Sequence, residues 1–140
     1  MTTSIDTNII VALWGADEEI SHTAQAVLDK ALSQGSLVIS GLVFAELLAA
    51  PGRNQDFLSK FCSEARIGVE WELSETICRL AGEAFQRYAV RRKRDSGKEP
   101  RRILADFLIG AHAQVNGYEL LTLDERHFRA SFPKLDVVSI

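Results

Sequence analysis

Short apolar runs alternate along the chain with longer segments in which apolar residues recur at the spacing of a helix. The runs predict strands that end near residue 6 and lie at residues 37–39, 69–73, 119–123 and 135–138. The helical spacing predicts a helix from about residue 8, a short helix between the last two strands, and longer helices over residues 21–34, 41–50, 54–65, 74–94 and 101–115. Strands that alternate with helices in this way are typical of an α/β fold with a parallel sheet. The length of 140 residues predicts a single domain over residues 1–140.

Polar residues predict where several of these elements begin. Thr7 or Asn8 is expected to cap the first helix and Ser21 the second, because their side chains accept hydrogen bonds from free backbone N–H groups. Residues 15–20 are expected to form a polar loop. The first strand, residues 2–5, contains Thr-Thr-Ser-Ile and is more polar than the other strands. This composition indicates an edge position or weak burial.

Four carboxylates stand in surroundings that carry no other charge. Asp6, Glu46 and Asp106 are each the only formal charge in a stretch of nine residues or more, and Asp124 closes an apolar strand. An isolated buried carboxylate is costly, so in practice it is neutralised, paired with a cation or bound to a metal. Few cations are available in the same apolar segments. The pattern therefore predicts that a metal ion supplies the positive charge.

The predicted elements place the four carboxylates where they can meet. Asp6 and Asp124 follow strands, and ligands of parallel sheets bind beyond the carboxyl ends of the strands. Glu46 lies in the helix after the second strand, and Asp106 lies early in its own helix. All the donors are oxygens, which suits Mg²⁺ or Mn²⁺. Such a site predicts metal-dependent hydrolysis of a phosphodiester.

Small residues share a helix face with Asp106. Gly110 and Ala113 follow it at helical spacing, so another element is expected to approach this helix closely.

Each carboxylate also has an explanation that needs no metal. Asp6 can cap the first helix, and Asp124 can cap the helix that follows it. Asp106 can pair with Arg102, which lies four residues earlier. Glu46 can be an ordinary exposed helix position. All four explanations must hold together to account for the set.

Basic residues are concentrated in one segment. Residues 87–102 contain eight of the sixteen basic residues and only two acids, although the whole chain has a net charge of −3. A local positive segment favours contact with nucleic acid, because phosphate contacts are local; a solvated helix end and loop is the other interpretation. The candidate substrate-binding residues are Arg91, Arg92, Lys93, Arg94, Arg101 and Arg102.

Composition excludes several classes of protein. The chain is 46% hydrophobic but has no apolar run of the roughly 18 residues that span a bilayer. Cys62 and Cys78 lack a metal-binding or redox spacing and indicate a reducing compartment, so a cytoplasmic protein without membrane contact is expected. Trp14 and Trp71 are expected in the core rather than in base stacking.

Four motifs resemble those of the PIN-domain ribonucleases, in the same order and along nearly the whole chain. The first is Asp6-Thr7-Asn8 after a short strand, and the second is Ser40 followed by Glu46. The third is the segment R-I-L-A-D-F-L-I-G-A-H-A of residues 102–113. The fourth is L-T-L-D of residues 121–124, followed by Phe128. Length and layout look most like the VapC-type toxins of toxin–antitoxin modules.

The resemblance implies a three-layer α/β/α sandwich with a central parallel sheet and an endoribonuclease that uses Mg²⁺ or Mn²⁺ and acts on single-stranded RNA. It also implies a bacterial or archaeal protein that forms a homodimer and is silenced by a VapB-type antitoxin. Carried over by position, Asp6, Glu46 and Asp106 would be the core metal ligands and catalytic acids, and Asp124 would be the fourth. The supporting polar residues would be Asn8, Ser40 and Thr122.

Two other functions remain as alternatives. The fold can serve as a non-catalytic or housekeeping RNA-binding domain without an antitoxin. Phosphotransfer is disfavoured, because Lys134 lies in the wrong context for a receiver domain and position 8 is Asn rather than the second Asp of a dehalogenase-like motif.

Overall fold

In the computed structural model, which describes residues 1–140, five strands form one sheet. The strands are β1 (Thr2–Ile5), β2 (Ser36–Ser40), β3 (Ile67–Glu70), β4 (Glu119–Thr122) and β5 (Val137–Ser139). Their order in the sheet is β3-β2-β1-β4-β5, and every neighbouring pair is parallel. From β1 the chain adds β2 and then β3 on one side. It then crosses to the other side of β1, where it adds β4 and β5. The strand order reverses between β1 and β4.

Seven helices connect the strands. They are α1 (Thr7–Trp14), α2 (Glu18–Gln34), α3 (Gly41–Ala49), α4 (Gln55–Glu64), α5 (Glu75–Ser96), α6 (Leu104–Val115) and α7 (Glu125–Ser131). Right-handed crossovers place the connections before β3 on one face of the sheet and those after β3 on the other. In agreement, α1 packs on α2, and α5 packs on α6 and α7. The expected α/β/α sandwich with a central parallel sheet is confirmed. None of the helices has both the length and the apolar character needed to span a bilayer.

The caps of the first two helices differ from the prediction. Asp6 caps α1 in place of Thr7 or Asn8, which confirms the alternative explanation given for this carboxylate, and it accepts a hydrogen bond from the Thr7 backbone N–H at 2.8 Å. Asp17 caps α2 through the Ile20 backbone N–H, so that helix begins three residues before the predicted cap, Ser21. Glu18 and Glu19 then lie in the first turn, where negative charge complements the helix dipole.

The polar first strand lies in the centre of the sheet, so the expected edge position was wrong. Thr3 is 2% exposed and Ser4 is 1% exposed. The Thr3 hydroxyl donates to Glu119 at 2.8 Å, which satisfies it within the sheet. The Ser4 hydroxyl has no hydrogen-bond partner in the protein, so the small size of its side chain is what allows it in the central strand.

The third strand begins two residues before the predicted start and ends at Glu70. Trp71 therefore lies beyond the sheet and is 64% exposed, against the expectation that it is a core residue. It packs edge-on against Phe44, with ring centroids 4.9 Å apart.

The close approach predicted at Gly110 is confirmed. A Cβ on Gly110 would lie 2.4 Å from Cε2 of Phe132, the residue directly after α7. Phe132 in turn belongs to an aromatic cluster centred on Phe107, which is fully buried. Because Phe107 directly follows Asp106, this packing fixes the first turn of α6 against the rest of the domain.

Candidate active site

The four carboxylates lie around the point where the strand order reverses. Asp6 follows β1 directly, and Asp124 lies two residues beyond β4. Glu46 is in α3, which begins directly after β2, and Asp106 is in the first turn of α6. The charges of Glu46 and Asp106 each raise the pKa of Asp6, and the charges of Glu46 and Asp124 raise that of Asp106. The fold therefore brings the four carboxylates to the side of the sheet where the carboxyl ends of its strands lie. This is the place where open α/β sheets bind ligands.

Asp6 is the most buried of the four, with 6% of its surface exposed. Its Oδ1 accepts a hydrogen bond from the Thr7 backbone N–H, and its Oδ2 accepts one from the Thr122 hydroxyl at 2.7 Å. Burial raises the pKa of Asp6 to about 6. The two hydrogen bonds oppose this rise, and the charges of Asp106 and Glu46 add to it. Asp6 therefore keeps its proton to a higher pH than an exposed aspartate does.

Thr7 positions Glu46, a role that no local sequence pattern indicates. The Thr7 hydroxyl donates to Glu46 Oε1 at 2.7 Å, across 39 positions of sequence. The same residue therefore contacts Asp6 through its backbone and Glu46 through its side chain. Ser40 positions Glu46 indirectly. Its buried hydroxyl accepts a hydrogen bond from the Val43 N–H and so caps α3, the helix that carries Glu46.

Thr122 links the Asp6 carboxylate to the backbone of Asp124. Its hydroxyl donates to Asp6 and accepts a hydrogen bond from the Asp124 backbone N–H at 3.0 Å. Asn8 supports the same turn, because its Oδ1 accepts from the Leu123 N–H at 3.1 Å and its Nδ2 lies 3.4 Å from the Thr122 hydroxyl. The expected supporting residues thus hold the backbone around Asp6 and Asp124.

Arg102 lies between Asp106 and Asp124. Its Nη1 is 2.5 Å from Asp124 Oδ2 and 4.0 Å from Asp106 Oδ2. The expected pair with Asp106 is therefore present, but the shorter contact is with Asp124. Burial raises the pKa of Asp106, and the charge of Arg102 partly reverses that rise. Asp124 directly precedes α7, but its side chain makes no capping hydrogen bond to that helix. It forms a salt bridge with Arg102 instead.

The donor set fits a hard divalent cation. All four groups are carboxylates, and Asp6 and Glu46 form no salt bridge within the protein. No three acidic, histidine or cysteine side chains are gathered closely enough, as they stand, to hold a metal ion. The carboxylates are thus near enough to raise one another's pKa without enclosing a single point. A cation of this kind would relieve the repulsion between them.

The six candidate substrate-binding residues divide into two groups. Arg91, Arg92, Arg101 and Arg102 line a cavity that also has Asp124 in its wall. Lys93 and Arg94 lie outside that cavity and pair with acids at the surface, Lys93 with Glu99 at 3.9 Å and Arg94 with Asp95 at 2.9 Å. The cavity wall also includes Tyr88, Arg126, His127 and Ser131, which were not expected from the sequence.

The raised pKa of Asp6 predicts a stability change with pH in protein treated with a chelator. The folded protein holds this proton up to about pH 6, whereas the ordinary pKa is 3.8. Protonated Asp6 therefore stabilises the folded protein relative to its ionised form. This contribution is complete below pH 3.8 and is lost as the pH rises through 6, a change of about 3 kcal/mol in the free energy of unfolding. His127, whose pKa burial lowers to about 4, acts in the opposite direction over this range.

Comparison with Asp6→Asn isolates the contribution of Asp6. Urea unfolding from pH 4 to 7.5 should show the variant gaining about 2 kcal/mol relative to the wild-type protein as the pH rises, since pH 4 already lies above the unfolded pKa of 3.8. A difference that stays constant over this range would contradict the prediction.

The fold is similar to that of solved toxin–antitoxin proteins. VapBC2 from Rickettsia felis, bound to a promoter DNA fragment, shares 21% identity over 99% of this chain and 98% of the matched chain, with a TM-score of 0.68. VapBC-1 from nontypeable Haemophilus influenzae has the same identity and coverage and a TM-score of 0.69. A toxin–antitoxin complex from Klebsiella pneumoniae shares 21% identity over 98% and 96% of the two chains, with a TM-score of 0.63. At these identities the likeness establishes a common fold.

The sequence itself matches a family. No curated protein matches the chain. The family model of the PIN domain matches residues 4–133, a range that contains all four carboxylates and the residues that position them. This match covers most of the chain, so the protein belongs to the PIN-domain family.

Proposed function

We propose that residues 1–140 form a single nuclease domain that hydrolyses RNA phosphodiester bonds with Mg²⁺ or Mn²⁺, and that the protein is a VapC-type toxin. The observation that carries the proposal is the placement of four carboxylates at the reversal of strand order, two of them without any cationic partner in the protein. PIN domains are generally nucleases, which supports hydrolysis as the reaction.

Asp6, Glu46, Asp106 and Asp124 would hold the cation. When bound, such an ion polarises the phosphodiester and lowers the pKa of an attacking water. Thr7 and Thr122 fix the orientation of the carboxylates, so little reorganisation is needed when substrate arrives. Burial keeps Asp6 away from bulk water, which strengthens electrostatic interactions at this point.

RNA is the proposed substrate because the carboxylates lie beside a cavity rich in arginine. Arg102 contacts both Asp106 and Asp124, and it is therefore the cation closest to where a scissile phosphate would lie. A guanidinium binds phosphate through two parallel hydrogen bonds. An anionic pocket that holds a cation, next to a cationic wall, is suited to a polyanionic strand.

A VapB-type antitoxin is the proposed protein partner, and a homodimer in the cytoplasm is the proposed working form. The solved proteins of similar fold include VapBC complexes from Rickettsia felis and Haemophilus influenzae, which supports a partner of this class.

Removal of divalent metal is expected to abolish RNA cleavage. Purified protein should cleave single-stranded RNA in Mg²⁺ or Mn²⁺, lose that activity in excess chelator, and recover it when Mn²⁺ is restored, because the carboxylates repel one another and the substrate without the ion. Gel electrophoresis of a labelled RNA measures the cleavage. Calcium added at the same ionic strength controls for salt. Cleavage that persists in chelator would reject the metal-dependent mechanism.

A further inference from the structure

A cavity of about 330 Å³ lies next to the carboxylates, between the end of α5, the loop after it and α7. Five arginines from these three elements line the cavity: Arg91, Arg92, Arg101, Arg102 and Arg126. Asp95 and Asp124 are the only acids in its wall. The cavity is therefore strongly cationic, and it shares Arg102 and Asp124 with the carboxylate site.

Four of these arginines have no anionic partner, and the guanidinium groups of three of the four have no partner of any kind in the protein. Arg102 pairs with Asp124, and Arg92 Nε donates to the Glu99 carbonyl at 2.8 Å. The guanidinium groups of Arg91, Arg101 and Arg126 form no salt bridge and no hydrogen bond with the rest of the protein. Unpaired like charges in one cavity repel one another, and an anion bound among them removes that repulsion.

Two buried polar side chains in the same wall also lack a partner. His127 is 7% exposed and Ser131 is 3% exposed, and neither His127 Nε2 nor Ser131 Oγ has a hydrogen-bond partner in the protein. Buried polar atoms are nearly always hydrogen-bonded, so unpaired ones mark a place where a ligand or an ordered water completes the site. Burial and the charge of Arg102 lower the pKa of His127 to about 4, so the imidazole is neutral and has one N–H to donate.

The cavity is held in shape by Tyr88. Its hydroxyl accepts hydrogen bonds from the backbone N–H groups of Arg101, at 2.9 Å, and Arg102, at 3.2 Å. The loop that supplies two of the arginines is thereby tied to α5. A cationic wall that is already ordered loses less entropy when it binds an anion.

We propose that this cavity binds a phosphate group of the RNA strand other than the one that is cleaved, an inference that rests on the proposed nuclease function. Guanidinium groups from three elements, with a neutral imidazole and a hydroxyl, supply many donors to the oxygens of a tetrahedral anion. Because Arg102 and Asp124 belong to both sites, a strand that occupies the cavity continues directly into the carboxylate site. The cavity would therefore set which bond of the strand reaches the carboxylates.

The test compares two double variants that remove the same charge. Arg91→Gln/Arg126→Gln removes unpaired guanidinium groups from the cavity. Lys60→Gln/Arg79→Gln removes two exposed cations from outside the cavity. Steady-state cleavage of a short single-stranded RNA gives KM and kcat, and binding of that RNA at several salt concentrations gives the salt slope.

The cavity variant should raise KM by about tenfold or more with little change in kcat, because it can no longer form charge-assisted hydrogen bonds to the strand. Its salt slope should fall by about 0.7 for each phosphate that the protein no longer neutralises, relative to the control pair. Equal KM values and equal slopes in the two double variants would overturn the phosphate site while leaving the nuclease function intact. Wild-type protein that fails to cleave any RNA in Mn²⁺ would instead overturn the proposed function.

The same RNA with a 5′-hydroxyl or a 5′-phosphate identifies which phosphate binds. A larger KM effect on the 5′-phosphorylated strand assigns the cavity to a terminal phosphate. An equal effect on both strands assigns it to an internal phosphodiester.

Discussion

Asp6→Asn is expected to reduce RNA cleavage by about a thousandfold or more, because several kcal/mol of metal-dependent charge stabilisation rely on this carboxylate. The amide keeps nearly the same shape, and its one oxygen can still accept the hydrogen bond from the Thr7 N–H that caps α1. Its NH2 group then faces the Thr122 hydroxyl, so that contact must reverse its direction and Asn must donate. The substitution therefore removes the charge and keeps the helix cap. The measurement is the single-turnover cleavage rate in saturating Mn²⁺.

Asp17→Asn is the matched control for this prediction. Asp17 also caps a helix through its side chain, but it is exposed and lies away from the carboxylates. Asn caps a helix about as well as Asp, so both variants should keep their helices. The Asp17 variant should cleave at the wild-type rate. Equal rates for the two variants would show that Asp6 serves only as a cap.

Phe107→Ala is expected to lower the free energy of unfolding by about 4 kcal/mol, the largest stability loss anticipated for this chain. Phe107 is fully buried, and its ring lies 5.1 Å from those of Phe85 and His127 and 5.4 Å from that of Tyr88. These partners belong to α5 and α7, so the substitution opens a cavity where three helices meet. Most domains have only about 5–15 kcal/mol of stability in total.

Phe57→Ala provides the comparison for Phe107. The Phe57 side chain is also aromatic and also contacts another ring, Trp14 at 5.5 Å, but Phe57 is 44% exposed. Its removal should therefore cost about 1 kcal/mol, since surface positions seldom cost more. Urea titration with a common slope measures both changes. A loss below about 2 kcal/mol for Phe107→Ala would show that the aromatic cluster can collapse around the gap.

The carboxylate site was predictable because isolated charges at the ends of apolar strands can be recognised in the sequence. Parallel strands end on one side of a sheet, so Asp6 and Asp124 were expected on the same side once the strands were identified. That they are neighbours depends on the pairing of β1 with β4. The small residue at Gly110 likewise indicated a close approach, although the sequence pattern did not identify Phe132 as the neighbour.

The partners of these groups were not predictable from local patterns. Thr7 binds Glu46 across 39 positions of sequence. Arg102 lies closer to Asp124 than to Asp106, and this difference depends on how α6 and α7 pack. The basic segment of residues 87–102 supplied four of the five arginines of the cavity, so that part of its wall was predictable. The wall contributed by the short helix α7, which includes Arg126, was not predictable, because it depends on how α7 packs against α5. The central position of β1 depends on strand order, which its polar composition does not reveal.

The middle strand of the sheet, β1, precedes the other four strands in the chain and is therefore synthesised before them. β1 pairs with β2 and β4, and Asp6 is bonded to Thr122 at a separation of 116 positions. A ribosome adds about 5–20 residues each second, so β1 emerges long before β4 exists. On the proposed function, a growing chain therefore has no assembled carboxylate site before β4 is made, and the messenger RNA and ribosome that produce it are spared until then.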